Sequence, residues 1–375
     1  MKKLKICFVT VNCSPEYLGG YSLYHKNLIK YIKNNKNNIK ISWVYFGSEN
    51  KRYFKGGVEY FEIKTNKLKS FTWVWENFSL ARFFKKNNFD IINSTVGIGG
   101  LFYKKKKDQK IIQTFHGTAY YFNKNHFKRF NFIEKLLFSP LLLFSWLQEK
   151  PHKETDKFIC VSEKVKRQIE KLYGKKKNII VIRSGVDLKD FKPKNKKELR
   201  LNKNKIRGLY VGRGGFWTKG LDKTIRLSKE LYNLNKNYKL ILIGPDYNKV
   251  KHLLKEPFIT LLDNIPREKM PLYYNNSDIF FCMSRYEGGA PTLVVSEAMA
   301  SGCLVVCAKS AEQEIIQDSK NGLIVEEEYK KEAKRITQIL KTKRLKDKIL
   351  KNSMKTVKNL SFEKWGGKYL DTLIN

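Results

Sequence analysis

Two glutamates, Glu287 and Glu297, lie on either side of a loop that joins a predicted strand to a predicted helix. The strand is the apolar run 279–282, and the helical pattern extends over 294–300, where Gly302 is placed to end it. The N–H groups at a helix N-terminus bind anions, whereas carboxylates accept hydrogen bonds from hydroxyl groups. The stretch therefore predicts a ligand with both phosphates and hydroxyls, or, as the alternative, a turn that binds nothing.

A second glycine-rich loop carries two cations. Arg213 stands within the loop Gly212–Gly215, directly after a predicted strand, and Lys219 follows a few residues later. An arginine offers a planar fork to phosphate oxygens and a lysine offers a point charge, so the pair suits a diphosphate. The loop is not a dinucleotide fingerprint, because G-x-G-x-x-G requires a glycine at the position of Trp217.

Two loops in the first half of the chain also follow predicted strands. Gly19 and Gly20 precede the first predicted helix, where they form either a simple turn or a close backbone approach to a ligand. His116 follows the strand that ends at Phe115, and it is either a structural histidine or a ligand contact. The chain has no Walker, His-x-x-x-His or G-x-S-x-G motif and no Asp-x-Asp metal motif, so we expect neither a bound metal nor a cofactor.

These loops need a fold that gathers the ends of strands. Apolar runs alternate with helical patterns in both halves of the chain, which predicts the α/β class, with two doubly wound, Rossmann-like domains facing one cleft. The predicted strands are 5–11, 41–46, 58–63, 90–93, 111–115, 158–162 and 178–182, then 208–212, 240–244, 259–262, 278–282 and 304–308. A polar, lysine-rich stretch at 187–205 predicts a linker between the two halves.

The chain is strongly basic. Its 75 Lys and Arg residues against 35 Asp and Glu residues give a net charge of +40, which would suit a nucleic acid or an anionic membrane. Most of the excess is lysine in runs mixed with asparagine, such as 33–38, and no nucleic-acid recognition motif accompanies them. We therefore expect no nucleic-acid partner, and attraction to acidic lipid headgroups is the favoured interpretation.

Cysteine usage and hydropathy bear on location. None of the six cysteines forms a C-x-x-C pair, and no apolar run approaches the roughly 20 residues that span a bilayer. These features predict a cytoplasmic protein, peripheral on the inner face of the membrane. The aromatic and apolar segment 127–146 predicts a helix that is kinked or broken at Pro140 and packs on the sheet, or alternatively an interfacial membrane segment.

Taken together, the motifs resemble the retaining glycosyltransferases of the GT-B fold, family 4. The matching positions extend over nearly the whole chain: 15–20, 114–117, 161–162, 185–187, 211–213, 219–222, 284–288, 297–302, 321–325 and 362–365. The resemblance implies a metal-independent, retaining hexosyltransferase that moves a sugar from a nucleotide-sugar donor to a glycan or lipid-linked acceptor. It also implies a place in the biosynthesis of cell-envelope polysaccharide or glycolipid.

The resemblance further implies domain bounds and residue roles. The acceptor-side domain would be 1–190, the nucleotide-sugar domain 191–355, and 356–375 a helix that crosses back to the first domain. Arg213 and Lys219 would hold the diphosphate, Glu297 the ribose, and Glu287 with the backbone after it the sugar. The implied catalytic residues are His116, Glu287, Arg213 and Lys219, and the implied donor-binding residues are Gly19, Gly20, Arg213, Lys219, Glu287, Gly288, Gly289 and Glu297.

The chain departs from the family pattern in three places. Nine residues separate Glu287 from Glu297 where the family has seven, so either the loop bulges or Gly289 takes the expected position. Ser184 replaces an asparagine and Gln313 replaces a proline. The alternatives to glycosyl transfer are a nucleotide-sugar epimerase on a similar fold and, less favoured, a basic nucleic-acid-binding protein.

Overall fold

The structure is a computed structural model that describes most of the 375 residues as two compact units. The residues it leaves undescribed are 1–2, 11–12, 17–18, 66–71, 96–101, 177, 195–204, 213–215, 246, 248–250, 253, 264 and 290. One unit comprises Met1–Arg183 with Trp365–Asn375, and the other comprises Ser184–Lys364. Each unit is built on one largely parallel sheet with helices, which confirms the predicted α/β class.

In the described part of the first unit, eight strands form the sheet, in the order β3-β4-β2-β1-β5-β6-β7-β8. They are β1 (Leu4–Thr10), β2 (Ile39–Gly47), β3 (Lys51–Lys55), β4 (Val58–Lys64), β5 (Ile91–Ser94), β6 (Lys110–Phe115), β7 (Lys157–Cys160) and β8 (Ile179–Val181). The helices are α1 (Gly20–Asn35), α2 (Thr72–Lys86), α3 (Ala119–His126), α4 (Phe132–Gln148) and α5 (Glu163–Tyr173). Neighbouring strands are parallel except for the antiparallel pair β3 and β4.

The middle of this sheet explains its sequence pattern. Residues 6–9 of β1 are completely buried, as expected for a strand with neighbours on both sides and helices on both faces. The chain leaves β1 towards β2 on one side and later returns to β5 on the other. The loops after β1 and β5 therefore diverge at a topological switch point, where doubly wound sheets bind ligands.

In the described part of the second unit, six parallel strands are arranged in the order β11-β10-β9-β12-β13-β14. They are β9 (Arg207–Val211), β10 (Lys239–Ile243), β11 (Ile259–Leu262), β12 (Ile279–Cys282), β13 (Leu304–Ala308) and β14 (Leu323–Val325). The helices are α6 (Leu221–Leu234), α7 (Met270–Asn275), α8 (Leu293–Ala300), α9 (Tyr329–Lys341) and α10 (Lys343–Lys358). The switch point of this sheet lies between β9 and β12.

The last helix, α11 (Phe362–Ile374), begins in the second unit and continues from Trp365 as part of the first. Tyr369 on this helix is completely buried, and its hydroxyl lies 2.6 Å from Thr114 Oγ1 and 3.0 Å from Asn93 Oδ1. Lys110 Nζ also donates to the carbonyl of Ile374 at 2.6 Å. These bonds attach the end of α11 to β5 and β6.

Two predictions about segments need correction. Helix α4 continues through Pro140 instead of breaking there, and its first half is exposed, so the expectation that 127–146 packs on the sheet is wrong. The predicted linker 187–205 is only partly described, and Phe191 within it is buried in the core of the second unit. The division between the units lies after Arg183.

Within the described residues, no helix is both long and apolar enough to cross a membrane.

Candidate active site

The loops after β9 and β12 meet at the switch point of the second unit. Lys219 Nζ, from the loop after β9, donates to both carboxylate oxygens of Glu287 at 2.9 Å. Ser284 Oγ donates a third hydrogen bond to the same carboxylate. Glu287, at the start of the loop that is two residues longer than the family pattern, therefore lies directly beside Lys219. The Glu287 side chain is 10% exposed and that of Lys219 is 42% exposed, so a ligand can reach the lysine more readily.

A glycine with left-handed backbone allows this close approach. Gly220, the residue after Lys219, has φ of 66°, and a Cβ atom at this position would lie 1.8 Å from the carbonyl oxygen of Met283. No side chain can therefore be placed there without moving the start of the β12 loop. Gly220 is also the N-cap of α6. The close approach at this residue therefore fixes the start of α6 and Lys219 relative to the loop after β12.

Arg285 holds the two loops together from the other side. Its guanidinium binds both carboxylate oxygens of Asp222, at 2.7 and 2.6 Å, and donates to the carbonyl of Trp217 at 2.7 Å. The charged group also lies 4.9 Å from the centroid of the Trp217 ring. Its backbone N–H donates to the carbonyl of Thr218 at 3.0 Å. Arg285 is thus a positioning residue, because it fixes the loop that carries Lys219.

Glu297 lies in the second turn of α8 and is almost completely buried. One carboxylate oxygen accepts from the Arg267 guanidinium and the other from the Tyr274 hydroxyl at 2.9 Å. The Arg267 guanidinium also stacks on the ring of Phe191 at 4.7 Å. Burial alone would lower the pKa of Arg267, but the Glu297 carboxylate raises it above its ordinary value, so the arginine stays charged.

The N-terminus of α8 contains two buried hydroxyls. Thr292 Oγ1 and Ser296 Oγ have no hydrogen-bond partner among the described residues. The backbone N–H of Thr292 donates to Gln313 Oε1 at 3.0 Å. Gln313, which replaces the proline of the family pattern, therefore holds the end of the Glu287 loop through this hydrogen bond.

The remaining predicted residues of the second unit lie in two loops. Gly288 and Gly289 are half-buried in the Glu287 loop, whereas Arg213 falls outside the described residues.

In the first unit, His116 lies between two tyrosine rings, Tyr21 and Tyr24, each with its centroid 4.4 Å away. Its Nε2 atom is buried and has no hydrogen-bond partner among the described residues. Burial lowers the pKa of His116 well below its ordinary value, and the nearby His25 lowers it further. His116 is therefore neutral at physiological pH, so one of its ring nitrogens is a hydrogen-bond donor and the other an acceptor.

Gly19 and Gly20 form the start of α1, beside His116 and Tyr21. Gly19 has extended backbone that any residue adopts, and a Cβ atom at Gly20 would have no neighbour within 4 Å among the described residues. The described residues therefore leave space beside Gly20, which is compatible with the predicted approach of a ligand to the backbone.

Glu149 completes the surroundings of the His116 loop. Its carboxylate accepts from the backbone N–H of Ala119, at 2.5 Å, and of Tyr120, at 3.4 Å, so it caps the start of α3. Burial raises the pKa of Glu149 to about 7, although these two hydrogen bonds act in the opposite direction. The side chain thus holds the turn between His116 and α3.

Sequence reasoning did not find the partners of these groups. Arg267 and Tyr274 precede Glu297 by 30 and 23 residues, and no spacing rule connects them. Glu149 lies 30 residues after Ala119, beyond two intervening helical segments. Arg285 lies within the matching stretch 284–288, but its role depends on Asp222, 63 residues away, which only the fold brings close.

Two cavities in the first unit lie apart from the predicted residues. One of about 520 Å³ lies beside α5 and the end of α4, and its lining includes Trp146, Lys150 and Tyr173. The other, of about 620 Å³, lies beside α2, and its lining includes Trp75 and Arg82. Neither is lined by a residue of the predicted site. Among the residues that the structure describes, no three His, Cys, Asp or Glu side chains come together as a metal site.

Comparison with known proteins places the chain in a family. The profile of "Glycosyltransferase Family 4" matches residues 18–190, and the profile of "Glycosyl transferases group 1" matches residues 191–356. An uncharacterized glycosyltransferase of Methanocaldococcus jannaschii is 24% identical and aligns with 97% of this chain and 96% of its own length. Neither the profiles nor this relative favours an epimerase or a nucleic-acid-binding protein.

Solved structures agree on the fold. The sucrose-phosphate synthase of Thermosynechococcus elongatus has a TM-score of 0.78 at 17% identity, over 99% of this chain and 98% of that one. The Anabaena protein HepE, solved in complex with UDP and glucose, has a TM-score of 0.69 at 16% identity, over 99% of both chains. With two consecutive glycosyltransferase profiles over residues 18–356 and this shared two-unit fold, the chain belongs to the family 4 type glycosyltransferases of the GT-B fold.

Proposed function

We propose that this glycosyltransferase moves a sugar from a nucleotide-diphosphate donor to a glycan or lipid-linked acceptor, with retention of the anomeric configuration and without a metal. The observation that carries the proposal is the pairing of Lys219 with Glu287 at the switch point of the second sheet. A cation for phosphate and a carboxylate for hydroxyls stand side by side, as the two parts of a sugar nucleotide require. A complex of HepE with UDP and glucose supports this donor class.

Each site residue has a role in donor binding. Lys219, and Arg213 earlier in the same connection between β9 and α6, hold the diphosphate. Lys219 then exchanges its ion pair with Glu287 for one with phosphate. Glu287 and the backbone of Gly288 and Gly289 then contact the donor sugar. Glu297 accepts hydrogen bonds from the ribose in addition to those from Arg267 and Tyr274, since each carboxylate oxygen can accept more than one hydrogen bond.

In this proposal, residues of the first unit also contact the donor. His116 contacts a sugar hydroxyl through its neutral ring, and the open helix start at Gly19 and Gly20 lets the backbone approach the phosphates. The acceptor is a glycan or lipid-linked sugar of cell-envelope polysaccharide or glycolipid biosynthesis. The net charge of +40 supports a cytoplasmic place on the inner face of an anionic membrane.

The chemistry needs charge stabilisation at one point. The bond between the sugar carbon C1 and the donor phosphate breaks while the acceptor oxygen bonds to C1 on the same face. The acceptor proton passes to an oxygen of the leaving phosphate. The negative charge that develops on the diphosphate is stabilised by Arg213, Lys219 and backbone N–H groups at the start of α8.

The test replaces Lys219 with alanine and measures binding and turnover of nucleotide sugars. Lys219→Ala should lower donor hydrolysis or transfer at least about a hundredfold, because a phosphate cation is lost where charge develops. Arg213→Ala should have a similar effect. The matched control is Lys229→Ala, since Lys229 also pairs with a glutamate of the second unit, Glu256 at 2.8 Å, but on the surface.

Thermal stabilisation by a panel of nucleotide sugars identifies the donor before turnover is measured. Near-normal activity in both Lys219→Ala and Arg213→Ala would contradict the proposal. Interconversion of donor sugars in the absence of any acceptor would instead identify an epimerase.

A further inference from the structure

The part of α4 from Phe132 to Leu143 has an apolar surface that the described part of the chain leaves largely exposed. Seven large apolar residues are between 43% and 82% exposed: Phe132, Ile133, Leu136, Leu137, Phe138, Leu141 and Leu143. Their directions cover most of the helix circumference, so the segment is not a helix with one face on the core. Contiguous apolar surface of this kind on a folded protein marks an interaction site.

The second half of α4 anchors this apolar segment to the first unit. Ser145 is buried and accepts a hydrogen bond from Asn123 of α3 at 2.7 Å. Trp146 donates to the carbonyl of Leu172, at the end of α5, and Tyr173 donates to the carbonyl of Trp146. These bonds hold the C-terminal end of α4 against α3 and α5, while the N-terminal end projects.

The projecting end is a well-formed helix start. Asn131 and Glu134 form a capping box, in which Asn131 Oδ1 accepts from the Glu134 N–H at 2.9 Å and Glu134 accepts from the Asn131 N–H at 2.8 Å. Phe132, the most exposed of the apolar residues, follows the cap directly. Helix α4 therefore begins at the tip with its first turn capped, and this turn presents apolar side chains to its surroundings.

Cations flank the apolar tip along the chain. Lys128, Arg129 and Lys135 are exposed on the short turn before α4 and in the first turn of α4 itself. The acid among them, Glu134, is occupied in the capping box. An apolar helix end with basic side chains around it fits the surface of an anionic bilayer, where acyl chains and acidic headgroups meet.

A second copy of the chain is a poorer occupant. In a two-fold dimer the same patch meets itself, so the cations around one tip would face those around the other. The net charge of +40 adds repulsion between copies. Helix α4 has 17 residues, which is too short to span a bilayer comfortably, so insertion at the interface is the remaining geometry.

We propose that the projecting end of α4 inserts into the surface of an anionic lipid bilayer and docks the first unit there. The inference goes beyond glycosyl transfer and can be tested without any donor or acceptor. Failure of vesicle binding would leave the proposed reaction unaffected, and failure of Lys219→Ala to lose activity would leave this inference unaffected.

The first experiment measures binding of the full chain to phosphatidylcholine vesicles with and without phosphatidylglycerol. The wild-type chain should bind the anionic vesicles and lose binding at high salt. The double variant Ile133→Ser/Leu137→Ser should bind roughly tenfold more weakly or worse, because it removes two apolar side chains that would enter the bilayer. Both residues are more than two-thirds exposed, so the fold does not depend on them.

The matched control is Leu234→Ser/Leu272→Ser, which removes two apolar side chains that are 48% and 45% exposed in the second unit. This control should bind as the wild type does. Charge reversal by Lys128→Glu/Arg129→Glu should also weaken binding to anionic vesicles roughly tenfold at low salt. Equal binding by the wild type and Ile133→Ser/Leu137→Ser, or equal binding to both kinds of vesicle, would overturn the inference.

A second experiment locates the inserted residue. All six cysteines are buried, so Leu137→Cys provides a selectively reactive thiol for a polarity-sensitive fluorophore. Anionic vesicles should shift the emission of this label to shorter wavelength, whereas a label at Leu234→Cys should not respond. An unshifted emission at position 137 would overturn the inference. So would dimerisation in the absence of lipid that Ile133→Ser/Leu137→Ser abolishes, because the tip would then bind a second copy.

Discussion

At the scale of single residues, the two glutamates of the second unit have different kinds of partner. Glu297 is about 1% exposed and is bound by Arg267 and Tyr274, so removing either partner would leave a buried charge with fewer hydrogen bonds. Glu287 is bound by Lys219, whose side chain is 42% exposed. A half-exposed lysine can change partner at modest cost, which is what a phosphate-binding cation must do. Glu297 is thus suited to a fixed contact and Lys219 to an exchangeable one.

Glu76 leads to a prediction about pH. It is 4% exposed, accepts a hydrogen bond from Thr65 Oγ1 at 3.3 Å, and has its pKa raised to about 7 by burial, against 4.5 for an ordinary glutamate. Its stabilising contribution is therefore full below pH 4.5 and is lost as the pH rises through 7. Glu76→Gln should match the wild type at acidic pH but exceed its free energy of unfolding by roughly 3 kcal/mol at pH 8.

The measurement is urea unfolding of both proteins across this pH range. The control Glu16→Gln changes a glutamate of the same unit whose side chain is 81% exposed, and its difference from the wild type should not grow with pH in this way. A constant difference between Glu76→Gln and the wild type at every pH would contradict the prediction.

At the scale of elements, the start of α6 depends on one glycine. Gly220→Ala would force a Cβ atom against the Met283 carbonyl in addition to straining a left-handed backbone. We expect a loss of roughly 3 kcal/mol or more in stability and weaker donor binding, because Lys219 is the preceding residue. Urea unfolding and thermal stabilisation by the identified nucleotide sugar measure the two effects.

Gly56→Ala separates the two causes. Gly56 lies in the two-residue turn between β3 and β4 and has φ of 56°, and a Cβ atom there would have no neighbour within 4 Å among the described residues. This substitution therefore adds backbone strain alone and should cost roughly 1 kcal/mol. If Gly220→Ala costs no more than Gly56→Ala, the contact with Met283 does not constrain the loop.

The sequence was informative where elements have a local signature. Strands such as β1, β10 and β13 agree with the predicted apolar runs to within about one residue, because a central parallel strand is apolar on both faces. Strand β3 has no such run, since it is a short edge strand with four of its five residues exposed. For α4, the apolar sequence predicts packing on the sheet, whereas most of the helix is exposed. Hydropathy alone does not show whether a neighbouring element covers an apolar helix.

The candidate site was likewise predictable only where its residues have a local signature in the sequence. Lys219, Glu287 and Glu297 carry charge at the carboxyl ends of strands, which a reader of the sequence can recognise. Their pairing could not be foreseen. The Lys219–Glu287 bond joins residues 68 positions apart, and the Arg267–Glu297 bond depends on how α7 packs beside α8.

At the scale of the whole molecule, the net charge of +40 predicts a response to salt. Like charges on one compact chain repel, and this repulsion is screened within about 10 Å at 0.1 M salt. Raising sodium chloride from low concentration to about 0.2 M should therefore raise the melting temperature by roughly 2–5 °C. Choline chloride at the same ionic strength should act equally, since screening does not depend on the cation. A flat or falling melting temperature would contradict the prediction.

The division of α11 between the two units has a consequence for synthesis on the ribosome. Residues 184–364 form one compact unit without any later residue, whereas the first unit includes Trp365–Asn375. Asn93 and Thr114 are buried polar residues whose partner, the Tyr369 hydroxyl, emerges more than 250 residues later. The unit whose translation begins first therefore cannot complete its contacts until the last helix has been translated. Until α11 emerges, the nascent chain carries an uncovered core edge that a chaperone could bind.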